Sequence, residues 1–145
     1  MTRARQRLGR IAEDAALTHL EAAGLTLVAR NWSAPPRPGF GGHGGELDLV
    51  MRDGTTLVIV EVRSGTPRSS RKPTPESTSA RPASFAGGAA YTVGPAKQRR
   101  LAVLTQLFAA RLTTRPSAYR FDVVTVTSRG SELELRWYKN AFQVG

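Results

Sequence analysis

The chain has no cysteine among its 145 residues, which excludes a disulfide framework and any thiolate metal site. No stretch approaches the ~18 consecutive apolar residues of a membrane span. Nor does an apolar run follow Arg3, Arg5, Arg7 and Arg10 that would make the N-terminus a signal peptide. A soluble, cytoplasmic protein with no membrane partner is expected. Acids are few: 11 Asp and Glu stand against 21 Lys and Arg, a net charge of +10. Lysine is scarcer still, with three against 18 arginines. Genome composition accounts for choosing arginine over lysine, but not for the excess of positive charge. That excess favours a polyanionic partner, nucleic acid ahead of a membrane surface.

What is present suffices for one domain over residues 1–145 with a genuine core. Residues 5 to 23 carry Leu8, Ile11, Ala12, Ala15, Ala16, His19, Leu20 and Ala23 at helical spacing, and Gly24 is placed to stop the helix. Glu13 shares a stripe with Leu17 and Leu20. An acid there is either a surface residue or a group aimed into the molecule. Leu25 to Arg30 reads as a first strand. Asn31 to Gly44 is a Pro/Gly-rich connection carrying Trp32, Phe40 and His43, and His43 reads as a loop residue rather than a ligand.

Two strands follow, 45–51 and 56–63, around Arg52-Asp53-Gly54-Thr55. Asp-Gly between apolar runs is a hairpin signal. With Asp53 and Gly54 as the two turn residues, Asp48 faces Ile59, and Glu61 is its diagonal neighbour on the same side of the sheet. Such diagonals lie about 7–8 Å apart, close enough for two carboxylates to share a cation. Two buried carboxylates without a partner are costly, so the pair calls for a metal, another cation or water. Arg63 projects from the same face two residues on. The second of these strands is apolar on both faces, as a central strand is.

Residues 66 to 93 lack periodicity and read as a flexible Pro/Ser/Arg-rich insertion. Its Arg68, Arg71, Lys72 and Arg81 either contact phosphates or keep the segment solvated. A second helix from Pro95 to about Thr113 buries Leu101, Leu104, Leu107, Phe108 and Leu112. Lys97, Arg99 and Arg100 crowd its first turn, where the helix dipole disfavours cations, and a phosphate would serve as partner. Strands over 119–127 and 132–138 complete an α-β-β-β-α-β-β order. Asp122 reads as half of a structural ion pair with an arginine, and Trp32 and Trp137 as packing residues. The fold class expected is α/β, with a mixed central sheet flanked by helices.

Several short motifs in this order resemble the YraN family of small bacterial proteins, within the restriction-endonuclease-like or PD-(D/E)XK nuclease superfamily. They are Ala12-Glu13, Arg30-Asn31-Trp32, Gly45-Glu46-Leu47-Asp48-Leu49, Val60-Glu61-Val62-Arg63, Lys97, and Arg120-Phe121-Asp122-Val123-Val124. The resemblance spans nearly the whole chain outside the insertion. It implies a restriction-endonuclease-like core related to the archaeal Holliday-junction resolvases, and a metal-dependent endonuclease for structured or branched DNA, as repair or recombination requires. By position it implies catalytic roles for Glu13, Asp48, Glu61 and Arg63. Asp48 and Glu61 would hold Mg²⁺ or Mn²⁺, with the Val62 carbonyl and Glu13 completing the site. A homodimer is compatible with it.

One position departs from the pattern. The superfamily usually places lysine where Arg63 stands, and arginine, with a pKa above about 12, is a poor general base. Activity would then rest on a water activated by the metal, or on Lys97 or Lys72 supplying the amine. The alternative is a catalytically inactive nucleic-acid-binding module of the same fold.

Overall fold

In a computed structural model, residues 3–38, 44–65 and 93–143 are described. Helix α1 (Arg3–Ala22) leads into strands β1 (Thr26–Ser33), β2 (Glu46–Asp53) and β3 (Thr56–Gly65). Helix α2 (Pro95–Ala109) and strands β4 (Ala118–Arg129) and β5 (Glu132–Phe142) follow. The expected α/β order of elements is therefore found. His43 and residues 66–92 lie outside the described residues, while Val93, placed at the end of the expected insertion, is buried in the core.

The five strands lie in sequence order, antiparallel throughout except for the parallel pair β3–β4. A parallel neighbour needs a crossover, and α2 lies within it. The apolar pattern of β3 explains its central place. Leu57 and Ile59 face α2 and pack with Leu101, Leu104 and Phe108. Val58 and Val60 face α1 and pack with Ala12, Ala16 and Leu20. Each fully buried leucine or valine contributes about 1.5–3 kcal/mol, so these two cores fix both helices to the sheet. On α1 the buried stripe is narrower than the sequence suggests, and Ile11 stays 41% exposed.

The β2–β3 hairpin differs from expectation in its register. Asp53 pairs with Thr56, so Gly54 and Thr55 are the turn residues. Gly54 has φ of 62° while Thr55 does not share the left-handed region, the arrangement of a turn with glycine first. Glycine thus takes the first central position rather than the second. The ladder continues through Leu49↔Val60, and one pair further places Asp48 opposite Glu61 itself, not opposite Ile59.

Asp122 on β4 is wholly buried and ion-paired as expected. Arg120 Nε and Nη2 donate to its two oxygens at 2.9 and 3.0 Å. Trp137 Nε1 and the Asn140 N–H each add a bond of 2.9 Å. Four donors therefore stabilise one buried carboxylate. Trp32 packs edge-on against Phe108, with ring centroids 5.4 Å apart, and Trp137 packs beside the α1-side core.

Candidate metal and phosphate site

Beyond Leu49↔Val60 the ladder gives way to side-chain bonding. The Val62 N–H, the next on β3 to face β2, donates to Asp48 Oδ2 at 2.9 Å. Asp48 thus sits where the two strands part, at the end of the sheet open to both helices. The chain is bent there as well. Leu47 and Val50 both face α2, so the alternation of β2 slips at Asp48. Opposite it on β1, Asn31 holds a left-handed φ of 51°, which asparagine tolerates better than most residues.

Glu61 is partly buried and accepts a hydrogen bond from Lys97 Nζ at 2.8 Å. The Pro95 start of α2 delivers this lysine to the end of β3, and the Glu61 carboxylate in turn neutralises a cation set against the helix dipole. The structure thus brings Lys97, expected at the phosphate-contacting start of α2, to the carboxylate Glu61. Arg100 lines the same cavity of about 270 Å³, with Gly45, Glu46, Asp48, Glu61, Leu101 and Leu104. Arg99 is exposed on α2 outside that cavity. Arg63, two residues beyond Glu61, is partly buried and engaged with its neighbours.

Glu13 approaches from the α1 side. Asn31 Nδ2 donates to its Oε1 at 3.1 Å, and Arg30 Nη2 lies 3.5 Å from the same oxygen while bonding Asp14 at 2.6 Å. Glu13 is thus held by β1 beside Asp48 and not in direct partnership with it. Asn31 has no role in the sequence reading beyond matching a motif. Only its unusual backbone, which the sequence does not display, marks it as the link between Glu13 and the bent strand.

The carboxylates feel one another. Burial first, and then the charge of Glu61, push Asp48 up to about 7. The Val62 N–H pulls the other way, while Glu13 and Glu46 add to the rise. Partial burial, then Glu13 and Glu61, also hold Glu46 above its ordinary range. Lys97 and Arg100 line the cavity against Glu46, Asp48 and Glu61. Among the described residues no three His, Cys, Asp or Glu side chains converge closely enough to hold a metal ion together. What the site offers is two carboxylates, oxygen donors only, beside the Lys97 ammonium. That set fits a hard divalent cation that keeps most of its waters, and it does not fit zinc.

Gly44 closes the loop that enters β2. A Cβ there would lie 1.6 Å from the Ala34 carbonyl oxygen, and only glycine allows that approach. The Ala34 N–H donates to the Gly45 oxygen at 3.2 Å, so this contact sets where Glu46 and Asp48 begin.

Comparison with known proteins agrees with these motifs. The sequence profile of Uncharacterised protein family UPF0102 matches residues 12–126. A UPF0102 protein of Herminiimonas arsenicoxydans is 39% identical over 140 residues, covering 97% of this chain and 90% of that protein. UPF0102 proteins of Ralstonia pickettii (strain 12J) and Stutzerimonas stutzeri (strain A1501) are each 40% identical, covering 94% and 95% of this chain and 90% and 96% of their own. The chain belongs to the uncharacterised protein family UPF0102, the YraN family that its motifs resemble.

Proposed function

We propose that the protein is a metal-dependent endonuclease for structured or branched DNA, with a site built from Asp48, Glu61 and Lys97. The observation that carries this reading is the 2.8 Å contact between Lys97 Nζ and Glu61 Oε1. It supplies from a helix the amine that the strand lacks at Arg63, beside two carboxylates on adjoining strands.

Asp48 and Glu61 would hold Mg²⁺ or Mn²⁺, which when bound polarises a phosphate and makes a nearby water more acidic. The remaining contributions belong to the chain. The Val62 N–H fixes the Asp48 carboxylate, so one oxygen is oriented and the other is left for a ligand. Lys97 presents ammonium protons where negative charge accumulates on a phosphate under attack. Arg63 and Arg100 add fixed positive charge around the cavity, which lowers the energy of a bound phosphodiester without moving a proton. The net charge of +10 supports a nucleic-acid partner.

Cleavage of single-stranded, duplex, flap and four-way-junction DNAs with Mg²⁺ or Mn²⁺ tests the reading. Metal-dependent cleavage abolished by Asp48→Ala and by Glu61→Ala is the expected result, with DNA affinity largely retained. Cleavage that persists in both variants removes the site. Tight, salt-sensitive binding without cleavage assigns the fold to binding alone, and Arg63→Lys then tests whether the missing lysine is the cause.

A further inference from the structure

The sheet ends at β5, and no described strand pairs with its outer side. Next to the Gly130-Ser131 turn, Arg129 pairs with Glu132, followed by Thr127↔Glu134, Thr125↔Arg136 and Val123↔Tyr138. In a two-residue hairpin the pair flanking the turn exchanges both hydrogen bonds, and every second pair does the same. Glu132, Glu134, Arg136 and Tyr138 therefore turn their backbone groups toward β4. Leu133, Leu135 and Trp137 turn theirs outward, a row of donors and acceptors that faces no described strand. The ladder is regular from Glu132 to Tyr138. Beyond it the register shifts, and Asn140 takes φ of 52°. Leu135 is the midpoint of the regular stretch.

We propose that two copies of this chain form a two-fold dimer by antiparallel pairing of their β5 strands, centred on Leu135. Leu135 then lies opposite its own copy, Leu133 opposite Trp137 of the partner subunit, and Glu134 opposite Arg136 of the partner subunit. The faces agree. Leu135 and Trp137 lie with the α1-side core, and Leu133 shares their face by alternation. Leu133 is 44% exposed, and pairing covers it. Glu134 and Arg136 share the other face.

Charge selects the register, because opposite charges across a strand pair attract and like charges repel. Centring on Glu134 or on Arg136 sets that residue against its own copy. Centring on Leu133 sets Glu132 against Glu134 of the partner subunit. Centring on Leu135 sets acid against base twice. Edges that stay single are blunted by shortness, proline, bulges or charge; the stretch from Glu132 to Tyr138 has none of the first three, and centring on Leu135 pairs Glu134 with Arg136 of the partner subunit. The inference does not depend on the chemistry of the carboxylate site.

Sedimentation equilibrium of the full chain tests it, with twice the 15.7 kDa of one chain as the expected mass. Arg136→Glu is expected to weaken association roughly tenfold, and Glu134→Arg added to it to restore association. Circular dichroism checks that each variant is folded. With no native cysteine, Leu135→Cys is expected to form an intermolecular disulfide on oxidation, since the Cα atoms of such a pair lie about 5.5 Å apart. Leu133→Cys is expected not to, its two copies being four positions out of register. A chain that stays monomeric at about 100 µM overturns the proposal. So does cross-linking at Leu133→Cys equal to that at Leu135→Cys, or a charge swap that restores nothing.

Discussion

Lys97 Nζ lies 2.8 Å from Glu61 Oε1, which joins the first turn of α2 to β3 across 36 positions of sequence. If this amine serves the reaction, Lys97→Met should lower single-turnover cleavage by about 10²–10³-fold, the usual loss for one charge-stabilising group. DNA affinity should change by no more than about threefold, because one phosphate contact at most is removed. Arg63→Lys placed in the Lys97→Met background should recover part of the rate. Unchanged cleavage in Lys97→Met would confine the contact to a structural role.

Asp48 titrates near 7 in the folded chain, above its ordinary value of ~3.9. The native state therefore holds the proton more tightly than the unfolded chain. Its stabilising effect is complete below about pH 4 and is lost as pH rises toward 7. Asp48→Asn, which can still accept the Val62 N–H, should stabilise the metal-free protein at pH 8 by about 1–3 kcal/mol and do little at pH 4. Urea unfolding at the two pH values reads this directly.

Divalent cation should act in the opposite sense to that charge penalty. Mg²⁺ or Mn²⁺ at 100 times its Kd is expected to stabilise the wild-type chain by roughly 2.7 kcal/mol. Asp48→Asn and Glu61→Gln should lose most of that gain. Thermal unfolding with and without metal, at pH 8, measures it without reference to any substrate. Equal metal stabilisation of all three proteins would place the cation elsewhere.

Arg120 is the main counter-charge of the buried Asp122 and also bonds Asp53 at 3.0 Å beside the hairpin turn. Arg120→Met leaves a buried carboxylate without its cation, a loss of about 3–5 kcal/mol. The paired replacement Arg120→Met with Asp122→Leu should recover much of it. Denaturant midpoints of the single and double variants test the coupling.

Asn31 combines a left-handed backbone with a side-chain bond to Glu13. Asn31→Ala removes both features and should destabilise the chain by about 1–2 kcal/mol, whereas Asn31→Gly keeps the backbone freedom and should lose less. If alanine is tolerated as well as glycine, the backbone strain is not what the position contributes.

How legible the site was in the sequence follows from range. Asp48 and Glu61 share a face because both lie on strands of period two joined by a short turn, and that parity survives the corrected register. The register itself misled because Asp-Gly has two ways to turn a hairpin with glycine left-handed in both, and what separates them is that Asp53 is not left-handed and pairs with Thr56. The Asp122 ion pair was legible since Arg120 stands two residues away on the same face. Lys97 was legible as a charge set against a helix dipole but not as a partner of Glu61. That contact depends on where a crossover helix lands, which no local pattern encodes. The left-handed Asn31 left no trace in composition.

The seam between β3 and β4 divides the sheet by chain distance. β1 to β3 form a local meander and β4 with β5 a local hairpin, while residues 66–117 separate the two strands that meet at the seam. Closing so long a connection slows folding more than it weakens the folded state, since each doubling of a flexible loop adds only about 0.6 kcal/mol of entropy. The meander alone carries Asp48 and Glu61, whereas Lys97 arrives with the crossover. The pairing of the carboxylates is thus a local contact, and the approach of the amine a long-range one. The connection that carries the helix can also change length at little energetic expense while the pair of acids beneath it stays in register.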